Sequence, residues 1–320
     1  MKSSCYRDPL GDISEAPELV APGEERIAIP PQPANAGARV HIWLGAACTP
    51  LLLASIAGAI RMSNSGWGSI VVGTCLLAVI SMVPALLWHD RKDYEKRDAA
   101  LMLPWIILLV ALIPYLTTLC DRLGFPLRDN LYARMDRMLG FNVASIVGWT
   151  VAHPFLERTL IGSYRLLRPL LIVAAFFPAA LGKRKAAERF ALSNMIACLI
   201  ALPLFALVPA IGPWTAYHFT GTPAQQWTEA AMLALRTGGP PKAVGLGCLP
   251  SYHVMWAIFS ASALWPFRFL RLPATVLAVL IVISTVTTGW HYAVDAITGV
   301  LVAGLCLYVA NAMAESARHR

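Results

Sequence analysis

Two short polar stretches stand beside long apolar runs in the C-terminal third of this chain. One contains His291 and Asp295, and a spacing of four places both side chains on one face of a helix. An aspartate there can accept a hydrogen bond from one imidazole nitrogen, fix the tautomer and make the other nitrogen more basic. The pair fits an activated nucleophile or base, although the same spacing also fits a structural pair at a helix end.

The other polar stretch is "PSYH", which begins at Pro250. Proline favours a helix start, and Ser251 is placed to cap the helix, so the first backbone N–H groups could bind an anion. An ordinary Pro-Ser cap beside a hydrated His253 is the alternative interpretation. Taken with His291 and Asp295, the stretch offers two histidines facing a helix N terminus. One histidine could attack a phosphate while the other protonates the leaving oxygen.

The composition predicts the elements that must position these residues. Of the 320 residues, 57% are hydrophobic and only 14% are charged, whereas soluble domains carry about 25% charged residues. The mean hydropathy is +0.60. These values predict an all-α, polytopic transmembrane bundle, because an open strand edge has no hydrogen-bonding partner in lipid. The net charge of +8 is assigned to basic cytoplasmic loops rather than to nucleic-acid binding.

Eight apolar segments are long enough, or nearly so, to cross a bilayer. Residues 1–39 are predicted to be a disordered cytoplasmic tail, 40–98 two additional membrane helices, 99–313 a six-helix catalytic domain and 314–320 a cytoplasmic C terminus. The predicted spans are 40–61, 67–88, 99–120, 159–181, 191–211, 252–267, 273–290 and 292–313.

The distribution of lysine and arginine predicts the orientation. With the tail in the cytoplasm, the cytoplasmic segments hold 16 of the 26 basic residues and the opposite segments hold eight. Both termini are then cytoplasmic, in a membrane predicted to be the cell inner membrane. "LPSYH" and the turn before "HYAVD" share the non-cytoplasmic face, because one helical hairpin joins them. The long loop 121–158 on that face contains "RDNLYARMDRMLGFN", which predicts an amphipathic interfacial helix.

The two polar stretches together carry a family resemblance. "PSYH" followed by "S-T-x5-H-Y-x2-D" resembles the second and third motifs of the type 2 phosphatidic acid phosphatase superfamily. The branch that contains the inositol phosphorylceramide synthases, which are inositolphosphotransferases, looks more similar. "LVPAIGPW" at 207–214 and "MDRMLGF" at 135–141 also resemble that branch. The resemblance covers roughly residues 100–313.

The resemblance implies a role for each residue. His291 corresponds to a nucleophile that forms a phosphohistidine, and Asp295 to the carboxylate that orients it. His253 corresponds to the general acid that protonates the departing alcohol. Ser251 and its neighbour Tyr252 correspond to substrate-binding positions.

The sequence departs from the phosphatase branch in its cations. That branch has an arginine directly after the serine of the third motif, where this chain has Thr285 after Ser284. Its first motif, a lysine followed seven residues later by Arg-Pro, is absent before "PSYH". These departures count against a plain phosphatidic acid phosphatase. The synthase-like branch lacks the same cations.

Other basic residues must then neutralise the phosphate. Lys242, nine residues before Ser251, and Arg168 are predicted to bind the substrate; Arg165 and Arg236 are further candidates. Arginines near a membrane surface also snorkel to lipid headgroups, which is the alternative for these positions. No cofactor and no metal is expected, since no cluster of acidic, cysteine or histidine residues has ligand spacing.

The leading hypothesis is an integral-membrane enzyme that moves a phosphoryl group or phosphorylated headgroup from a lipid to an alcohol or to water. One alternative is a phosphatase acting on phosphatidic acid or polyprenyl phosphate. A second is a transporter with a His/Asp proton relay, which would place ionisable groups near the bilayer midplane. The sequence leaves the donor lipid, the acceptor and the oligomeric state open.

The basic-residue asymmetry makes a direct prediction. In a background without reactive cysteines, Thr222→Cys should react with a membrane-impermeant thiol reagent added to intact cells, and Lys185→Cys should react only after the cells are permeabilised. Labelling of Lys185→Cys in intact cells contradicts the orientation.

Overall fold

The computed structural model describes residues 35–61, 67–239 and 248–319, and their secondary structure is entirely helical. The first helices are α1 (Asn35–Arg61), α2 (Trp67–Ile80), α3 (Val83–Asp90), α4 (Tyr94–Ala100), α5 (Leu103–Arg122), α6 (Asp129–Met138), α7 (Val143–Val151) and α8 (Pro154–Arg165). The remaining helices are α9 (Leu167–Ala180), α10 (Arg184–Leu207), α11 (Pro213–Ala216), α12 (Pro223–Arg236), α13 (Tyr252–Leu264), α14 (Arg268–Thr287) and α15 (Ala293–His319).

The predicted all-α membrane bundle is confirmed. Seven helical stretches of the described chain are long and apolar enough to span a bilayer. They are Ala38–Ile60, Gly68–Asp90, Tyr94–Arg122, Pro154–Ala180, Arg184–Leu207, Arg268–Thr287 and Ala293–Ala317. The predicted span at 252–267 forms the shorter helix α13, of 13 residues. This helix contacts α9, α10, α14 and α15, so it lies inside the bundle.

The predicted tail lies almost wholly outside the described residues, which begin at Asn35; helix α1 already includes residues 35–39. Four spans start several residues before their predicted limits, at Tyr94, Pro154, Arg184 and Arg268. The first turns of the spans that start at Tyr94 and Arg184 carry charged side chains that pair with each other. Arg184 contacts Asp98 at 2.8 Å and Glu188 at 2.6 Å. Such pairing lets charged turns extend an otherwise apolar helix, which hydropathy alone does not reveal.

Helix ends converge at two opposite faces of the bundle. At one face, Arg184 joins α10 to α4, and Arg189 donates to the carbonyl of Ser262 at the end of α13. At the other face, the ends of α5 and α10 approach each other, where the Arg128 N–H donates to the Pro209 carbonyl. The turns that carry the dense basic clusters therefore lie at the face opposite to the start of α13.

The predicted helix around residue 135 is α6. Its buried side carries Tyr132, Ala133 and Asp136, while Leu131 and Met138 are exposed. The buried side is thus partly polar, and the exposed side contains apolar side chains. The buried carboxylate of Asp136 binds the start of α15.

A glycine sets the approach of α13 to α15. A Cβ added at Gly299 would lie 3.0 Å from both the Ser251 carbonyl oxygen and the Val254 Cβ. Contacts of that length leave no room for a methyl group unless one helix moves. The absence of a side chain at this position therefore allows the first turn of α13 to pack directly against α15.

We expect Gly299→Ala to lower the thermal unfolding midpoint in detergent, because it separates α13 from α15. Gly304→Ala is the matched control on the same helix, since a Cβ there meets nothing within 4 Å. Alanine favours a helix by about 0.5–1 kcal/mol over glycine, so the control should be neutral or slightly more stable. Equal midpoints for the two variants would contradict the proposed close contact.

Candidate active site

The start of α13 is held by a serine. The Ser251 Oγ accepts a hydrogen bond from the Val254 N–H at 3.4 Å, as a helix-capping residue does. Its own backbone N–H donates to the Asp295 carbonyl at 3.1 Å. The capped start of α13 is thereby tied to the first turn of α15. The cap predicted from "PSYH" is present.

The two histidines of the sequence motifs meet at this junction. The His291 Nε2 lies 3.3 Å from the His253 Nδ1 and 3.5 Å from the Ser251 Oγ. The ring centroids are 5.2 Å apart, and the rings are inclined by 61°. Residues separated by 38 positions thus face each other, as the hairpin between them required.

Asp295 lies behind His291, on the side away from His253. Its Oδ2 is 3.6 Å from the His291 Nδ1 and accepts a hydrogen bond from the Tyr292 N–H at 3.1 Å. The Asp295 side chain is fully buried, and neither its Oδ1 nor the His291 Nδ1 has a hydrogen-bond partner. A movement of a few tenths of an ångström closes the contact to hydrogen-bond length, so the carboxylate can orient the ring.

Burial sets the charge of His291. The residue is 5% exposed, and its removal from water lowers its pKa to about 4. The ring is therefore neutral at physiological pH. In the tautomer whose Nδ1 proton points at Asp295, the lone pair lies on Nε2, which is the atom that faces His253 and Ser251.

Tyr164, on α8, completes the cluster and was not predicted. Its hydroxyl lies 3.0 Å from the His253 Nε2, and its ring stacks on the imidazole with centroids 4.9 Å apart and planes 19° apart. Its ring also stacks with Trp290, with centroids 6.3 Å apart. Tyr164 is 89 residues from His253. The sequence around Tyr164 contains no motif that could have signalled the contact.

A carboxylate on α6 braces the turn that carries His291. Asp129 accepts hydrogen bonds from the backbone N–H groups of Ile211 and Gly212, each at 2.9 Å, and from the Tyr292 hydroxyl at 2.9 Å. The Tyr292 ring also stacks on Tyr132, with centroids 5.4 Å apart. Ile211 and Gly212 belong to "LVPAIGPW", which resembles the synthase-like branch. Asp129 and Tyr132 lie before "MDRMLGF", in the segment predicted only as an amphipathic helix, so their role was not predicted.

A second carboxylate on α6 binds the start of α15. The Asp136 Oδ1 accepts from the Val294 N–H at 2.8 Å, and its Oδ2 accepts from the Tyr217 hydroxyl at 3.3 Å. A negative charge at a helix N terminus is favourable, because the first N–H groups have no partner within the helix. Helix α6 thus fixes both the position and the direction of α15.

Helix α12 is hydrogen-bonded to the turn before His291. Thr222 and Gln225 form a capping box at its start, and the Gln225 amide donates to the carbonyls of Thr288 and Gly289 at 3.2 Å and 3.0 Å. Gly289 has a positive φ of 73°, which a residue with a side chain rarely adopts. The hydrogen bonds from Gln225 therefore hold the segment before His291 against α12.

The predicted substrate-binding residues do not all lie at this cluster. The Tyr252 ring packs in the main apolar core beside Phe205 and Trp256, at 6.0 Å and 5.1 Å. Arg168 is exposed on α9 and is close enough to Tyr164 and His253 to interact with them electrostatically. Lys242 lies outside the described residues.

The structure also shows where the other two basic candidates, Arg236 and Arg165, lie. Arg236 donates to the backbone carbonyls of Asp121 and Phe125, so it holds the end of α5. Arg165 is exposed at the end of α8. Thr285, which replaces the arginine of the phosphatase motif, is fully buried, and its hydroxyl donates to the Val282 carbonyl. Within the described residues, no group of three or more histidine, cysteine or acidic side chains could hold a metal ion.

A model of the PAP2 superfamily matches residues 131–309. The chain belongs to this superfamily. The matched residues run from α6 into α15 and contain the whole cluster around His291, whereas α1 to α5 precede them. Comparison with curated proteins and with solved structures gave no significant match. Membership in the PAP2 superfamily fits a membrane enzyme of the lipid phosphatase or phosphotransferase kind, with a lipid phosphate as its substrate.

Proposed function

We propose that this PAP2-superfamily protein transfers a phosphoryl group or a phosphorylated headgroup from a lipid to an alcohol or to water through a phosphohistidine. The observation that supports the proposal is the neutral His291, whose Nε2 faces His253 and Ser251 while Asp295 stands behind Nδ1. This is the arrangement of an activated nucleophile next to an acid–base group.

The first step forms the covalent intermediate. The His291 Nε2 attacks phosphorus as the bond from phosphorus to the leaving oxygen breaks. His253, entering in its protonated form, gives its proton to that oxygen, which leaves as an alcohol. Asp295 stabilises the positive charge that develops on the His291 ring.

The second step reverses the roles of the groups. An alcohol or water oxygen attacks the phosphohistidine, and the now neutral His253 removes its proton. The bond between phosphorus and His291 Nε2 breaks, which restores the neutral imidazole. Because His253 and Ser251 contact Nε2 in the free protein, phosphate must enter between these groups.

We infer that the phosphate is bound by the N terminus of α13, which Ser251 caps, and by the nearby cations. A helix N terminus binds anions through its unpaired N–H groups and the helix dipole. Arg168 is exposed and interacts electrostatically with His253, which supports a place at the substrate entrance. Lys242, just before the "PSYH" stretch, and Tyr252 remain proposed as substrate-binding residues, Tyr252 by contributing its backbone to the helix start.

Transfer of a headgroup, as in the inositol phosphorylceramide synthase branch, is the narrower proposal. It is supported by Thr285, which is buried and bonded within its own helix, so no cation stands where the phosphatase motif has arginine. The braces Asp129 and Asp136 also lie in or beside the stretches that resemble this branch. A lipid phosphate phosphatase is the second candidate, which superfamily membership supports.

The proposed orientation places the cluster on the non-cytoplasmic side of the inner membrane and both termini in the cytoplasm. The support is that the basic turns before α4 and α10 lie at the face opposite to the start of α13. The same geometry disfavours a proton-relay transporter, because His253 and His291 lie at helix starts near one face of the bundle.

The substrate type can be tested with purified protein and a panel of lipid phosphates and phosphodiester lipids, measuring free phosphate and new lipid species. Since the phosphatase-motif cations are missing, a doubly charged phosphomonoester should bind weakly. We therefore expect turnover of at least one phosphodiester lipid, or headgroup transfer from it, to be comparable with monoester hydrolysis. Fast release of phosphate from phosphatidic acid with no turnover of any phosphodiester would contradict headgroup transfer and favour the phosphatase.

The proposed roles predict three distinct defects. His291→Ala should abolish turnover and acid-quenched labelling of the protein with phosphate. His253→Ala should slow an alkyl ester by about 10²–10⁴-fold and a nitrophenyl ester much less, because nitrophenolate leaves without a proton. Asp295→Asn should cost about a hundredfold or more, since the His291 tautomer is no longer fixed. Full activity of His291→Ala, or equal losses on both esters in His253→Ala, would overturn these assignments.

A further inference from the structure

We propose that Tyr164 is a positioning residue that occupies the Nε2 of His253 and so reserves Nδ1 for proton exchange with the substrate. The inference rests on the proposed function, because it assigns a nitrogen to the acid–base step. The two His253 nitrogens have different neighbours: Nε2 lies 3.0 Å from the Tyr164 hydroxyl, and Nδ1 lies 3.3 Å from the His291 Nε2.

The geometry arranges four residues in one chain of polar contacts. Asp295 lies 3.6 Å from the Nδ1 of His291, and the His291 Nε2 faces the Nδ1 of His253. The Nε2 of His253 in turn faces the Tyr164 hydroxyl. In the free enzyme, with both rings neutral, the Tyr164 hydroxyl donates to Nε2 of His253. The proton on the His253 Nδ1 then points at the lone pair on the His291 Nε2. Each nitrogen in the chain has one role, donor or acceptor.

A tyrosine hydroxyl suits both protonation states of His253, because it can donate or accept a hydrogen bond. When His253 is protonated, its Nε2–H donates to the Tyr164 oxygen and its Nδ1–H is the proton available to the leaving oxygen. After that transfer, the Nε2–H remains bonded to Tyr164 and the lone pair is on Nδ1. Nδ1 can then take the proton of the attacking alcohol or water. Tyr164 itself gains and loses no proton in this cycle.

The position of Tyr164 is restrained by two neighbouring rings. It stacks on His253 within 19° of parallel and on Trp290 within 10°, and Trp290 packs edge-on against Trp214. Trp290 directly precedes His291 in the chain. The same aromatic stack therefore sets the distance between the acid–base ring and the nucleophile.

The charge near this stack also favours a defined tautomer. Arg168 is four residues after Tyr164 and interacts electrostatically with both Tyr164 and His253. Burial, the facing His291 and then the charge of Arg168 lower the pKa of His253, so a second proton is disfavoured until an anionic phosphate arrives. In the free enzyme the ring is then neutral, and its tautomer is decided by the group that occupies Nε2.

Tyr164→Phe tests the inference, because it keeps the stacked ring and removes only the hydroxyl. We expect kcat for an alkyl phosphoester to fall about tenfold, the effect of one lost hydrogen bond, and KM to stay unchanged. A nitrophenyl ester should lose less than about twofold, because its leaving group needs no proton. Tyr308→Phe, an exposed tyrosine on α15, is the matched control and should leave both activities unchanged.

The double variant separates positioning from a purely structural role. If Tyr164 acts through His253, adding Tyr164→Phe to His253→Ala should produce no further loss on the alkyl ester. A structural role predicts instead that the two losses multiply and that both esters are affected equally. Thermal unfolding midpoints of all variants, measured in the same detergent, monitor folding independently of activity.

The outcomes distinguish this inference from the proposed function. If His253→Ala shows no difference between the two esters, the acid–base role itself is wrong, and the role of Tyr164 is wrong with it. If His253→Ala discriminates between the esters but Tyr164→Phe is fully active, equally impaired on both, or additive with His253→Ala, only the inference about Tyr164 is overturned.

Discussion

The start of α15 is the point on which the candidate site depends, because three carboxylates converge on it. Asp295 binds the N–H of Tyr292, Asp136 binds the N–H of Val294, and Asp129 binds the Tyr292 hydroxyl. A buried carboxylate is costly unless donors satisfy it, and the first N–H groups of a helix are donors without partners. The N–H groups at the helix start therefore supply the donors that the carboxylates need, and the carboxylates supply the missing acceptors. The result is a rigid helix start directly after His291.

The same constraint explains how distant segments build one site. Asp129 and Asp136 are seven residues apart on α6, so both carboxylates lie on its buried side, and they bind the turn before α11 as well as α15. A chain that did not form α6 would leave these donors buried and unpaired, at a cost of about 1–3 kcal/mol each. The position of His291 is therefore set by α6, a helix within the loop 121–158, rather than by the membrane spans.

The packing of the long helices brings His253 close to His291, whereas the orientation of His291 is set by α6. Helix α13 is surrounded by four other helices, and Gly299 lets its first turn approach α15 without a side chain between them. This approach allows the Ser251 N–H to bind the Asp295 carbonyl and brings His253 to within 3.3 Å of His291. His291 is buried there, and its burial lowers its pKa and keeps its imidazole neutral. Burial also strengthens the polar contacts that this ring makes.

The sequence alone determined the helical membrane bundle, the Ser251 cap and the closeness of His291 to Asp295, because these follow from apolar run length, a helix-start motif and a spacing of four residues. Both residues of the pair were expected on one helix, but His291 lies in the turn two residues before α15 and only Asp295 lies on the helix. The sequence also brought His253 to His291, because a single hairpin joins them. Only the tertiary structure decided that Tyr164 completes the cluster, that Tyr252 faces the core and that Asp129 and Asp136 brace α15. Those contacts join residues separated by about 50 to 160 positions. They depend on the direction in which each side chain points between packed helices, which the periodicity of a single helix does not predict.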